Sequence, residues 1–113
     1  MSYQIITTPN FERAVKQLKK RHPSIVKDML ELIESLEENP TQGVALKGGL
    51  YKIRLAISDK KRGKSGGARV ITWVKVIKQR VLLIDIFDKV DRSTISDKEL
   101  DQLLKDLPDE LLE

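Results

Sequence analysis

Tyr51-Lys52-Ile53-Arg54-Leu55-Ala56-Ile57 sets apolar residues at every second position, with Lys52, Arg54 and Ala56 between them. An extended strand turns successive side chains to opposite faces, so Tyr51, Ile53, Leu55 and Ile57 face a core while Lys52 and Arg54 share the other surface. Upstream the period is helical. Phe11, Ala14, Val15 and Leu18 fall at i, i+3, i+4 and i+7, and Ile25, Met29, Leu32, Ile33 and Leu36 line a second stripe. Thr8-Pro9 supplies an N-cap and a proline at the first helical position. Pro23 separates the two helices, Asn39-Pro40 ends the second, and so tight a junction predicts an antiparallel hairpin.

The flanks complete the order. Tyr3 to Thr7 reads as a short first strand, and Thr41 to Gly49 as a glycine-bearing loop. Asp59 to Gly67 reads as a basic, glycine-rich loop, and Arg69 to Val76 as a third strand. Val81 to Phe87 is almost continuously apolar, the pattern of a strand buried on both faces. Ser96-Asp97-Lys98-Glu99 fits a capping box, followed by a stripe of Leu100, Leu103, Leu104 and Leu107 that Pro108 closes. The predicted fold is α+β, in the order β-α-α-β-β-β-α. It has a small, mainly antiparallel sheet on a helical hairpin and a C-terminal helix, as one domain over 1–113.

Composition narrows the function. With 113 residues, 40% apolar and 34% charged, the chain suits a single folded domain. It has no cysteine, which excludes disulfide scaffolds and thiolate zinc sites, and its one histidine, His22, leaves little for a histidine triad or a multi-histidine metal site. No apolar run approaches the roughly 20 residues of a membrane span. Met1 to Gln4 shows no secretory signal, so a cytoplasmic location is expected. The net charge of +4 hides an uneven distribution: residues 47–80 hold eleven Lys/Arg against Asp59 alone, whereas residues 81–113 hold four against ten acids. A cationic middle of this kind attracts polyanions and releases their condensed counterions.

Lys52 and Arg54 would repel each other on one strand face unless an anion joins them. Arg69 opens the next strand and comes over the same surface if the two strands pair. Lys64, in Gly63-Lys64-Ser65-Gly66-Gly67, stands where small residues let backbone approach a ligand. Lys89 lies just past the buried strand, and Arg92 a little beyond it. Such cations suit phosphodiester cleavage by a neighbouring 2′-hydroxyl, because Arg and Lys donors stabilise the charge that builds on the non-bridging oxygens. A lysine among other cations is a candidate general base or acid, and neither metal nor cofactor is required. The P-loop spacing G-x-x-x-x-G-K-[ST] is absent, since Ser58 stands five residues before Gly63. Trp73 shares phase with Arg69 and Ile71 and could stack a base, while Tyr51 belongs to the core phase. His22 is placed to cap a helix C-terminus. Asp85 interrupts the apolar run and calls for a cation, with Arg54 or Arg69 the simplest partner and Asp88 an alternative acid nearby.

Three blocks together resemble the RelE/ParE toxin superfamily, and most closely its HigB-like branch: Leu46 to Leu55, Gly63 to Ile71, and Leu82 to Lys89. The resemblance implies a type II toxin that cleaves mRNA, typically on the translating ribosome, and is held inactive by a cognate antitoxin, through which alone it meets operator DNA. By the same resemblance Lys52 and Arg54 serve in RNA cleavage and Arg69 contacts the scissile phosphate. Lys64 and Lys89 match basic positions of the HigB-like branch, and Trp73 and Arg92 join them as substrate-binding candidates. The pattern's C-terminal tyrosine is missing from Asp91 to Ser96, so by the resemblance either a lysine acts as base or cleavage is slower. The superfamily also contains gyrase poisons without nuclease activity, and a basic face could equally serve a non-catalytic antitoxin- or nucleic-acid-binding module. The acidic terminal helix, residues 96–107, could partly shield the cationic surface.

Overall fold

The computed structural model describes residues 2–59, 67–92 and 94–107. In chain order these form β1 (Gln4–Thr7), α1 (Pro9–Arg21), α2 (Ile25–Glu38), β2 (Val44–Ala45), a 3-10 turn (Lys47–Gly49), β3 (Leu50–Leu55), β4 (Ala68–Lys75), β5 (Arg80–Asp88) and α3 (Asp97–Lys105). The predicted order holds. The exception is the stretch read as a plain loop, which contributes the short β2 and the 3-10 turn.

Local chemistry accounts for the boundaries. Thr8 caps α1 by accepting from the Phe11 N–H at 3.3 Å, and its hydroxyl donates to the Leu83 carbonyl at 2.9 Å, tying helix start to sheet. Pro9 occupies the first turn, where no N–H is missed. At α3 the capping box forms in full: Ser96 Oγ accepts from the Glu99 N–H at 3.2 Å, and Glu99 Oε1 accepts from the Ser96 N–H at 3.2 Å.

The five strands lie in the order β1-β5-β4-β3-β2. Only β1 and β5 are parallel, so the sheet is mainly antiparallel, as predicted. Both faces are covered, by different elements. The helical hairpin packs Phe11, Leu18, Ile25, Leu32 and Leu36 onto Ile53, Val70, Val81, Leu83 and Ile86. On the opposite face α3 sets Leu100, with Leu103 and Leu104, over Leu50, Ile71, Leu82, Ile84 and Phe87. Each fully buried aliphatic or aromatic side chain contributes roughly 1.5–3 kcal/mol. Two cores therefore share one sheet, which explains why β5 reads as almost continuously apolar sequence. Tyr51 packs into the hairpin core, as its phase requires.

Glycine is demanded where β3 meets the chain that crosses it. Gly43 has φ +90°, and a Cβ there would run into the Lys52 carbonyl. Gly48, at φ +65°, lies so close to α3 that a Cβ would sit 2.7 Å from Leu104 Cδ1.

Candidate functional site

The pairing of β3 with β4 sets Lys52 opposite Ile71 and Arg54 directly opposite Arg69. Paired residues of an antiparallel ladder project to the same face, so Lys52, Arg54 and Arg69 come together on the side away from the helical hairpin. The three residues singled out as catalytic therefore share one surface. Arg54 is exposed and Lys52 half-buried, whereas Arg69 is only 5% exposed. Burial, with Arg54 beside it, pushes the Arg69 guanidinium below its ordinary value. Its recorded hydrogen bond goes to the Ala68 carbonyl at 3.1 Å, and none of the three cations has an acidic partner among the described residues.

A β-bulge in β5 builds the remainder of the site. Leu83 opposes Thr72 and Asp85 opposes Ile71, which leaves Ile84 without a partner residue. The extra residue reverses the alternation beyond it. Leu82 and Ile84 belong to the α3 core, Ile86 belongs to the hairpin core, and Phe87 opposes Arg69 on the cationic face. Asp85 is turned onto that face as well. Its carboxylate accepts from the Ile86 N–H at 2.9 Å and lies 3.8 Å from Arg92. The expected pairing with Arg54 or Arg69 is thereby corrected: the partner is Arg92, a residue beyond β5 that the period of two could not place. Burial pushes the Asp85 carboxyl up, against the Ile86 N–H, Arg92 and Asn10, which favour its charged form.

Arg92 is held from three sides. Its guanidinium stands 4.4 Å above the Phe87 ring, one nitrogen approaches Asp85, and another lies 3.0 Å from Glu99 Oε2 of α3. Lys47 makes a second bridge to α3 through Asp101 at 2.8 Å. The apolar stripe and these two bridges seat α3 over the Leu50–Trp73–Leu82 end of the face, and the same core reaches Phe87, the residue opposite Arg69.

The other candidates separate. Trp73 lies on the predicted face, but its ring packs in the α3 core and its indole N–H donates to the Gly48 carbonyl at 2.9 Å. Lys89 extends the β4–β5 pairing by one residue, its N–H donating to the Gly67 carbonyl at 3.1 Å. Lys64 lies outside the described residues. His22 does occupy the C-cap of α1, yet its ring sits between Asp59, 2.9 Å from Nδ1, and Asp88, 3.4 Å from Nε2. The helix dipole alone is therefore not its setting. Together with buried Asp28, which accepts from the Ser58 N–H at 2.8 Å and from its hydroxyl, His22 fastens the start of the basic segment to the helical layer. That anchoring role of Asp28 and Ser58 was not legible, because both read as ordinary helix-surface and loop residues. Phe87 was missed as a platform for Arg92, and the interruption by Asp85 was its one signal. A cleft of about 420 Å³ lies where α1 and α3 meet, lined by Thr8, Asn10, Arg13, Leu103 and Asp106, outside the cationic row. A nucleic-acid strand lies along an open surface, so the row and not the cleft carries the candidate chemistry.

The family described as "RelE toxin of RelE / RelB toxin-antitoxin system" matches residues 4–112. The chain belongs to this RelE toxin family. Among solved structures it is similar to a double-arginine variant of the Escherichia coli toxin RelE in the free state. That likeness has a TM-score of 0.61 and 19% identity, covering 96% of this chain and all of that one. It is also similar to the RelBE2 toxin–antitoxin complex of Mycobacterium tuberculosis, with a TM-score of 0.56 and 16% identity over 78% of this chain and 99% of that one. At these identities the two structures speak for the fold. No curated protein matches the chain. Among the described residues no helix is long and apolar enough to cross a membrane, and no group of acids and histidine is arranged to hold a metal ion.

Proposed function

We propose that this chain is the toxin of a type II toxin–antitoxin pair, of the HigB-like branch, and an endoribonuclease that cleaves mRNA on the translating ribosome in the cytoplasm. The observation that carries the reading is the cross-strand pair of Arg54 and Arg69, with Lys52 on the same face and none of the three in an ion pair with an acid among the described residues. Such a cluster is self-repelling until a polyanion lies across it. A phosphodiester attacked by its own 2′-hydroxyl gathers charge on the non-bridging oxygens as the bond to the 5′-oxygen breaks. Arg69 and Arg54 are set to receive that charge, in a site already partly stripped of water around Arg69. Lys52 is the residue for proton transfer to or from the reacting oxygens, in place of the absent tyrosine. Lys64, Lys89 and Arg92 are assigned to holding the strand, with Arg92 as the anchor furthest along the row, while Trp73 is taken up by the α3 core.

The inhibitory partner in this reading is a cognate antitoxin with an acidic or amphipathic segment that lies on residues 47–80, and operator DNA is met only through it. Support comes from the family and from the similar Mycobacterium tuberculosis structure, itself a toxin–antitoxin complex. The test is primer-extension mapping of mRNA ends after induction, with and without active translation, for the native chain and for Lys52→Ala/Arg54→Ala/Arg69→Ala. New ends that need translation and vanish in the triple variant are expected. Growth arrest with unchanged mRNA, or cleavage that survives the triple substitution, overturns the reading.

A further inference from the structure

We infer that Asp85 is a positioning residue that holds Arg92, over Phe87 of β5, in line with Arg69 of β4 and Arg54 of β3, so that the three guanidinium groups form one track for an RNA backbone. The inference rests on the ribonuclease reading and adds the register of the bound strand. Phe87 lies directly opposite Arg69, and Arg69 directly opposite Arg54. Arg92 stands over the Phe87 ring. With neighbouring strands about 4.8 Å apart, the row spans about 10 Å from β3 to β5. A single-stranded backbone laid along it runs across the strands.

The placement of Asp85 is hard to explain as packing. In the regular alternation from Leu82, residue 85 would point into the apolar core under the helical hairpin, where a carboxylate has no partner. The bulge at Ile84 instead delivers it beneath Arg92, with only 14% of its side chain exposed. There the Ile86 N–H donates to it at 2.9 Å and Arg92 stands 3.8 Å away, while Glu99 faces the same guanidinium from α3. Glu99 already engages the same guanidinium at 3.0 Å, and burial disfavours the charged form of Asp85. A residue there for stability alone would be neutral. A carboxylate that costs stability and fixes one arginine is instead the arrangement of a preorganised binding group.

The experiment uses the full chain, cleaving a defined mRNA on programmed ribosomes at several salt concentrations. Asp85→Asn, Arg92→Gln and the double variant are compared by kcat, KM and melting temperature, with Asp85→Glu as the conservative control. The expected result for Asp85→Asn is a KM raised about tenfold with kcat little changed, and a melting temperature equal to or above that of the native chain. Arg92→Gln lowers the slope of log KM against log salt by about one phosphate contact, and the double variant is no worse than Arg92→Gln alone, because Asp85 acts through Arg92. Asp85→Glu recovers part of the affinity. A native KM in Asp85→Asn, additive losses in the double variant, or a lowered melting temperature in Asp85→Asn overturns the inference. Cleavage that persists in Lys52→Ala/Arg54→Ala/Arg69→Ala overturns the ribonuclease reading instead, so the two failures are told apart.

Discussion

Replacing Arg69 with methionine should make the protein more stable and nearly inactive at once. Arg69 is 5% exposed, lies across the ladder from Arg54, and hydrogen-bonds the Ala68 carbonyl. Two unit charges about 6 Å apart at an effective dielectric constant near 20 repel by about 3 kcal/mol. Arg54 is exposed, so solvent and salt reduce that to about 1 kcal/mol. Removing a buried guanidinium that lacks an acidic partner among the described residues relieves about a further 1–2 kcal/mol, while the thioether keeps most of the apolar stem in place. The net gain of about 2 kcal/mol corresponds to about 8 °C in Tm for a chain of this size. Circular-dichroism melts at low salt should show that rise, and the gap should narrow as sulfate or phosphate is added, because the anion settles the native pair. Cleavage should fall by about 10²–10³-fold, the usual loss when a donor to developing charge is removed. A Tm for Arg69→Met at or below the native value refutes the reasoning, since it would mean the cation is already compensated and the surface has no standing demand for an anion.

Two further outcomes follow from particular contacts. Gly43→Ala combines an unfavourable φ of +90° with a collision against the Lys52 carbonyl, so it should cost about 2 kcal/mol or more, lower Tm by about 8 °C, and reduce cleavage because the displaced backbone carries Lys52; an unchanged melt contradicts this. Burial alone would push the Asp59 carboxyl up, but the Ser24 N–H and the His22 ring hold it below the usual range, so its contribution is present above the ordinary aspartate range and is lost as pH falls through its depressed value. Urea midpoints measured against pH should accordingly show a shallower acid limb below about pH 4 in Asp59→Asn, and superimposable curves rule that contribution out.

What the sequence made legible is what a single period can express. Alternation about Ile53 is a property of the strand itself, so the shared face of Lys52 and Arg54 follows from residues 51–57 alone, and the caps at Thr8 and Ser96 follow from side chains that hydrogen-bond within three residues. Register between strands is a different quantity. It depends on the length and course of the connection between β3 and β4, and no local pattern states that Arg54 stands opposite Arg69 rather than two residues away.

The bulge shows the same limit more sharply. An apolar run such as Val81 to Ile84 looks alike in either phase, so the point where the alternation reverses leaves no mark except the misfit carboxylate that follows it. Taken as a strict alternation, β5 would place Asp85 and Phe87 in the helical core and would leave Arg92 with Glu99 but without the Phe87 ring and the Asp85 carboxylate. With one extra residue, Asp85, Phe87 and Arg92 are gathered beside Arg69. The local rule that fails at Asp85 is thus the rule whose failure assembles the site. In a chain otherwise consistent from cap to core, that is where a functional demand on the fold is expected to surface.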